Sequence, residues 1–339
     1  MKKSISLLII FTLIISLFVM VGCAKEKSNG GVEEKLSVCV VVSSGFGDKS
    51  FNDSAKAGAE KLKEDFGIDV KYIECNNQNF KQRMMSAADT SNVVVPVGWE
   101  FTEISEVAKE YPDVKFIWVD NVADGIEKLP NLLCITYTQN EGSFLTGYIA
   151  AKMTKSGVVG AVGGEDSTTI NDFMVGYEQG AKYANEKVKV VKNYAGTYTD
   201  PATGKECAKA LHDQGADVIF QIAGNTGMGV FQAAKEEKFN AIGVDQDQKL
   251  TAPEFDNEII CSMIKAVGNS IYDTIKDYAQ NDKWEGGRVW TADMATGYIS
   301  IVYGDENSTQ QVPDAIKAEV EEVAKKIISG EIKVDTTRE

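Results

Sequence analysis

The sequence predicts an α/β architecture of two open parallel sheets, each covered by helices. Two observations carry this. Short apolar, β-branched runs alternate with amphipathic helical stretches, and 339 residues suit two medium lobes better than one giant sheet. The first run, 36–43, gathers Val38, Val40, Val41 and Val42, and the helical stretch 51–66 follows it. Strand-like 69–74, helical 80–90 and the valine-rich 93–97 come next, then helical 101–110 and strand-like 114–119 and 133–137. The alternation resumes with helical 141–155, strand 158–162, helical 171–186, strand 187–191 and helical 201–214. Strand 218–222, helical 228–237, strands 241–244 and 259–263 and helical 266–279 complete the reading. Helices between successive strands are the crossovers that parallel pairing requires.

The N-terminus reads as a secretory signal rather than a fold element. Lys2 and Lys3 precede an apolar stretch from Leu7 to Val21, broken only by Thr12 and Ser16, that ends at Gly22-Cys23. This fits a bacterial lipoprotein signal over 1–22, with Cys23 the lipidated (palmitate-bearing) first residue and the polar segment 23–35 a flexible tether. Met20 stands where that pattern usually has Leu. An uncleaved anchor is the alternative, but the stretch is short for a span of about 20 residues. Either way the globular part is expected outside the cytoplasm, on the outer face of the cell membrane.

The formal charge is −15, and −17 without residues 1–22, which carry two lysines and no acid. Such a balance repels phosphate backbones and argues against nucleic-acid partners. With Cys23 assigned to lipid, Cys39, Cys75, Cys134, Cys207 and Cys261 remain, an odd number with no CxxC pair. Cys39, Cys134 and Cys261 lie in apolar runs and read as small buried hydrophobes.

In open parallel sheets, ligands settle at the carboxyl ends of strands. The residues just after each apolar run are therefore the candidates: 43–52 after the first strand, Trp99 and Phe101 after the third, Asp120-Asn121 after the fourth. Gly163 to Asp166, Ala223 to Gly227 and Gly243 to Asp247 follow later strands.

Several of these segments carry a family resemblance over nearly the whole mature chain. The runs Asp48-Lys49-Ser50-Phe51-Asn52, Tyr111 to Phe116, Asn140 to Tyr148, Asp213 to Phe220 and Ala241 to Asp245 resemble the basic-membrane-protein family of lipoproteins, the PnrA-like purine-nucleoside-binding proteins of ABC importers. The resemblance implies the type I periplasmic-binding-protein fold: two doubly wound parallel-sheet lobes joined by three hinge crossovers, with ligand in the cleft. It divides the chain into 36–138 with about 248–288 as one lobe, and 139–247 with about 289–339 as the other. A nucleoside is then the expected ligand, and permeases and an ATPase are the expected partners of a protein acting as a monomer.

A nucleoside asks for aromatic faces against its base and carboxylates for its ribose. Phe51, in the glycine-rich loop, and Phe220, at a strand end in the other lobe, are expected to sandwich the base, each ring being worth roughly 1 to 3 kcal/mol. The alternative for Phe51 is a buried helix-start residue, and for Phe220 simple core packing. By the resemblance, Asn52 and Asp120 meet the base edge, Asp245 and Lys265 meet the ribose, and Gly224 lets backbone approach the sugar. Asp48, in the first loop, is grouped with them. For Asp245 and Lys265 the alternative is an ion pair across the hinge. Asn225, Trp118 and the Ser43-Ser44 pair depart from the family's usual residues and leave the identity of the nucleoside open.

Catalysis finds little to work with. His212, the single histidine, lies in an amphipathic stretch with no Ser-His-Asp or metal-ligand set around it. Gly45-x-Gly47 lacks the third glycine of a dinucleotide fingerprint, and Asp245-Gln246-Asp247 lacks the rest of a calcium loop. Neither cofactor nor metal is expected. Competing readings are a sensing or host-interacting surface lipoprotein with the same fold, or a binder of another small polar solute such as a sugar.

Overall fold

The computed structural model describes residues 36–337; the expectations for the signal segment, the tether and Cys23 lie outside the described residues. The first sheet holds β1 (Ser37–Val42), β2 (Asp69–Glu74), β3 (Val93–Val97), β4 (Lys115–Val119) and β5 (Leu132–Tyr137). The second holds β6 (Val158–Gly163), β7 (Lys189–Tyr194), β8 (Val218–Ile222), β9 (Asn240–Asp245) and β10 (Ile259–Lys265). Edge strands β11 (Arg288–Ala292) and β12 (Ile299–Val302) complete them, giving the orders β11-β5-β4-β3-β1-β2 and β12-β10-β9-β8-β6-β7. Every pairing is parallel except β10 with β12.

Both sheets are wound in both directions from their first strand, with the reversal of order falling between β1 and β3 and between β6 and β8. Burial explains why β1 reads as a continuous apolar run. Val38, Val40 and Val42 belong to one core cluster and Cys39 and Val41 to another, so both faces are covered.

Helices α1 (Phe51–Phe66), α2 (Phe80–Ala88) and α3 (Ile104–Glu110) cover the first sheet, with α8 (Val267–Asn281) packed against α1. The second lobe carries α4 (Gln139–Met153), α5 (Thr168–Ala184), α6 (Pro201–His212), α7 (Gly227–Glu237) and the C-terminal α9 (Asp314–Ile328). Helices α1 and α8 touch through backbone at Gly58, where a Cβ would overlap the carbonyl oxygen of Gly268. Helix α4 is buried nearly all round, between α5, α9 and the second sheet, which explains its uncharged Gly142-Ser143-Phe144-Leu145-Thr146-Gly147 run.

The ten strands and eight helices expected from periodicity appear with ends shifted by a few residues. Beyond residue 279 periodicity named no element, and there the chain forms β11, β12 and α9. The two strands are short edges, and α9 buries only Val320, Val323 and Ile327, so each pattern is too thin to stand out. The lobe boundaries also need correction. Segment 248–265 belongs with the second lobe, because β10 pairs in parallel with β9. The chain crosses at Thr138, at Ala266 and again between Ala292 and Ile299, so only 267–292 returns to the first lobe.

Cys39, Cys134 and Cys261 lie buried in β1, β5 and β10, as expected of small hydrophobes. His212 ends α6, its Nδ1 2.8 Å from the Ala216 carbonyl oxygen and its ring stacked near Phe239.

Candidate ligand-binding cleft

The carboxyl ends of the two sheets enclose a cavity of about 170 Å³ lined by residues of both lobes. That is far more than the room one water needs, on the order of 10 to 15 Å³. Its first-lobe wall is the loop between β1 and α1, the turn after β3 and Asp120 after β4. Its second-lobe wall is the first turns of α5, the Tyr198 loop, the turn after β8 and the ends of β9 and β10.

The β1–α1 loop is braced from within. Asp48 accepts hydrogen bonds from the backbone N–H groups of Ser50, Asn52 and Asp53 at 2.8–3.0 Å, so the start of α1 is satisfied by the chain's own carboxylate. Burial pushes the Asp48 carboxyl up to about 6, although those three N–H groups pull the other way. Asp53 accepts from the N–H groups of Gly47 and Lys49, and the Asn52 amide donates to the Ser44 hydroxyl and the Gly45 carbonyl. Phe51 and Asn52 are thereby presented to the cavity from a fixed loop.

Two carboxylates stand at strand ends in the left-handed backbone region, Asp120 with φ 78° and Asp245 with φ 67°. Such conformations cost non-glycine residues of order 1 to 3 kcal/mol and concentrate at functional sites. Asp245 accepts a hydrogen bond from the Ser50 hydroxyl across the cleft. Burial pushes its carboxyl up to about 7, against the opposing pull of the Lys265 ammonium and the Ser50 hydroxyl. Lys265, only 1% exposed, does form an ion pair between the lobes, but with Asp120 at 2.7 Å and not with Asp245. Its Nζ also lies 5.1, 4.9 and 5.4 Å from the ring centroids of Phe51, Tyr137 and Phe173. An ammonium held by rings and one carboxylate is fixed in position.

The pairing of Phe51 with Phe220 needs correction. Phe220 is fully buried and packs on Tyr177 and Phe173, with centroids 5.6 and 6.4 Å away, and it does not line the cavity. The reason is strand geometry. Ile222 is the residue of β8 that lines the cavity, and Phe220 sits two residues, roughly 6.6 Å, deeper along the strand. Two second-lobe rings line the cavity, Tyr198 and Phe173 of α5; sequence reading missed Phe173 because it lies in the second turn of a helix rather than after a strand. Phe101 is likewise core, not cleft. Asp48, Phe51, Asn52, Asp120, Gly224, Asp245 and Lys265 all line the cavity, Gly224 with φ 53°.

Two further polar atoms were missed by the sequence reading or left without a role. Trp99 Nε1 and Glu100 Oε2 are buried with no hydrogen-bond partner, and both residues line the cavity just after β3. Burial pushes the Glu100 carboxyl up to about 7, although the Ser43 hydroxyl bonded to it works in the opposite direction. The rule that strand ends bear function pointed at this turn without distinguishing Glu100 from its neighbours.

Residues 35–338 match the family described as ABC transporter substrate-binding protein PnrA-like. The chain belongs to that family. Basic membrane protein A of Borreliella afzelii is 34% identical, aligned over 89% of this chain and 92% of its own length. Basic membrane protein D of Borreliella burgdorferi is 33% identical, over 96% and 94%. Among solved structures, an ABC transporter solute-binding protein of Aeropyrum pernix superposes with a TM-score of 0.79 at 27% identity, covering 90% of this chain and 94% of that one. A carbohydrate transporter solute-binding protein of Agrobacterium radiobacter, solved with D-arabinose, superposes at 0.59 and 20% identity over 85% and 99%, a likeness of fold. The type I periplasmic-binding-protein fold is thus shared. As a PnrA-like substrate-binding protein, the chain serves an ABC transporter, binding a small ligand for the membrane permeases on the extracytoplasmic side. Proteins of this kind bind their cargo without transforming it. No helix among the described residues is long and apolar enough to cross a membrane.

Proposed function

We propose that this PnrA-like protein is a lipoprotein, anchored through Cys23, whose cleft captures a nucleoside, a purine nucleoside in particular, for import. The observation that carries the reading is the juxtaposition, in one cavity, of Phe51 from one lobe and Phe173 from the other with Asp245, Asp120 and Lys265. The two rings supply faces for a flat base, and Asp245 accepts from ribose hydroxyls while the Lys265 ammonium donates to them. Asp120 and the carbonyl oxygen of Asn52 serve the base edge, and Gly224 lets backbone approach the sugar. Asp48 acts through the loop that it braces.

The charge of the cavity favours a nucleoside over a nucleotide. Its lining sets four carboxyl side chains, Asp48, Glu100, Asp120 and Asp245, against one ammonium, Lys265. The start of α1, where a phosphate would otherwise settle, is filled by the Asp48 carboxylate. A dianionic phosphate would meet repulsion there.

The test is a thermal-shift panel of nucleosides, nucleotides, free bases and sugars on the protein lacking residues 1–23. Inosine, guanosine or adenosine at 100 times its Kd stabilises by about 2.7 kcal/mol, and the corresponding monophosphates do not. Phe51→Ala or Asp245→Ala removes most of the shift while the ligand-free protein still unfolds cooperatively. Stabilisation by sugars alone would sink the reading and favour a sugar carrier.

A further inference from the structure

The turn after β3 contains the two buried polar atoms of the cavity that the proposed function leaves unused. Trp99 Nε1 is a donor with no alternative role, since an indole nitrogen cannot accept. Glu100 Oε2 is an acceptor, its carboxyl otherwise tied to the Ser43 hydroxyl. The backbone is shaped for it: Gly98 has φ 122°, and a Cβ there would overlap Glu100 Oε2, so the glycine makes room for the carboxyl. A buried polar group left without a partner costs about 1 to 3 kcal/mol, and groups left so in native cores call for an explanation.

This turn is set apart from the sugar end. Val97 pairs with Val119 and the Gly98 N–H donates to the Val119 carbonyl oxygen, so Trp99 and Glu100 follow beside Asp120, which on its other side holds Lys265 at 2.7 Å. Asp120 therefore lies between two polar stations, one at Asp245 and Lys265 and one at Trp99 and Glu100. The second station offers one donor beside one acceptor. Its complement is a ligand edge with an acceptor next to an N–H, as in the lactam edge of a 6-oxopurine or the amidine edge of a 6-aminopurine. Hydroxyl-bearing parts are matched by the first station.

Resting on the nucleoside reading, we propose that Trp99 and Glu100 determine base specificity: Glu100 accepts from a ring or exocyclic N–H of the base while Trp99 Nε1 donates to the adjacent nitrogen or oxygen. A base without an N–H on that edge leaves the buried carboxyl unpaired and is rejected, because sites built to bond a polar group discriminate strongly against analogues that lack it.

Calorimetric titration of inosine, adenosine and purine riboside, which lacks the 6-substituent and any base N–H, tests this. Wild-type protein is expected to bind purine riboside at least about ten-fold more weakly than the other two. Glu100→Leu should weaken inosine and adenosine by about ten-fold or more and leave purine riboside unchanged, with Glu100→Gln intermediate and Trp99→Phe showing a smaller loss. Without ligand, at pH 8, Glu100→Leu should raise the melting temperature, since it removes a buried carboxyl with one oxygen left unpartnered. A structural role would lower it and weaken all three ligands alike, which overturns the proposal. Equal wild-type affinity for all three nucleosides also overturns it. If no nucleoside binds and a sugar does, the proposed function fails separately, and this inference is read on that sugar: a Glu100→Leu affinity within about two-fold of wild type refutes it.

Discussion

Asp245 shows how one buried side chain ties recognition to stability. The Ser50 hydroxyl donates to it, Lys265 attracts it, and Asp48 and Asp120 repel it, with burial dominating and holding its carboxyl near 7. A carboxyl whose folded pKa is raised contributes stability fully present below the unfolded value, near 3.8, and lost as pH rises through about 7. Ligand-free protein should therefore lose part of its stability between pH 4 and 7 through this group. Asp245→Asn should flatten that decline, which melting temperatures across the interval would read; an unchanged slope would disprove the assignment. Of the residues expected at the site, those next to strand ends or at the start of α1 do line the cavity, because a carboxyl end is a local property readable from where an apolar run stops. Phe220 failed because depth along a strand is not: two residues separate a cavity wall from a core beneath Phe173 and Tyr177.

Among the elements, α1 does two jobs. Its first turn presents Phe51 and Asn52 to the cavity, and its middle meets α8 at Gly58 and Gly268. Because β11 follows α8, this contact helps seat the returning segment 267–292 on the first lobe. Gly58→Ala would force the two helices apart and should cost about 1 to 3 kcal/mol, seen as a lower midpoint in urea with ligand affinity largely kept. A midpoint equal to wild type would show that the helices yield freely. Strand β10 was legible as a strand but not as a member of the second sheet, since its apolar run reads the same beside any neighbour. Its parallel register with β9 brings Lys265 to the cleft.

Across the whole molecule, the lobes are held together around the cavity by bonds centred on one loop. Gln246 Nε2 donates to the Ser50 carbonyl oxygen at 2.9 Å, Gln248 Nε2 donates to that of Lys49 at 3.0 Å, and the Lys49 ammonium pairs with Glu254 at 2.7 Å. The exposed Lys49–Glu254 pair adds little, but the shared backbone carbonyls favour the closed arrangement. Removing one such bond, with Gln246→Ala, should speed ligand release by roughly two- to ten-fold and raise the ligand-free radius of gyration in small-angle scattering. Release at the wild-type rate would show that this bond takes no part in closure. The sequence by itself determined the α/β class, the paired parallel sheets, the family and most strand-end residues of the cleft, because hydrophobic periodicity and turn chemistry are local and repeat along the chain. Only the tertiary structure decided that Phe173 and not Phe220 lines the cavity with Phe51, that Lys265 pairs with Asp120, and that Trp99 Nε1 and Glu100 Oε2 stand without partners in the cavity. Those facts depend on which distant segments meet across the cleft, and no spacing along a single chain encodes that meeting.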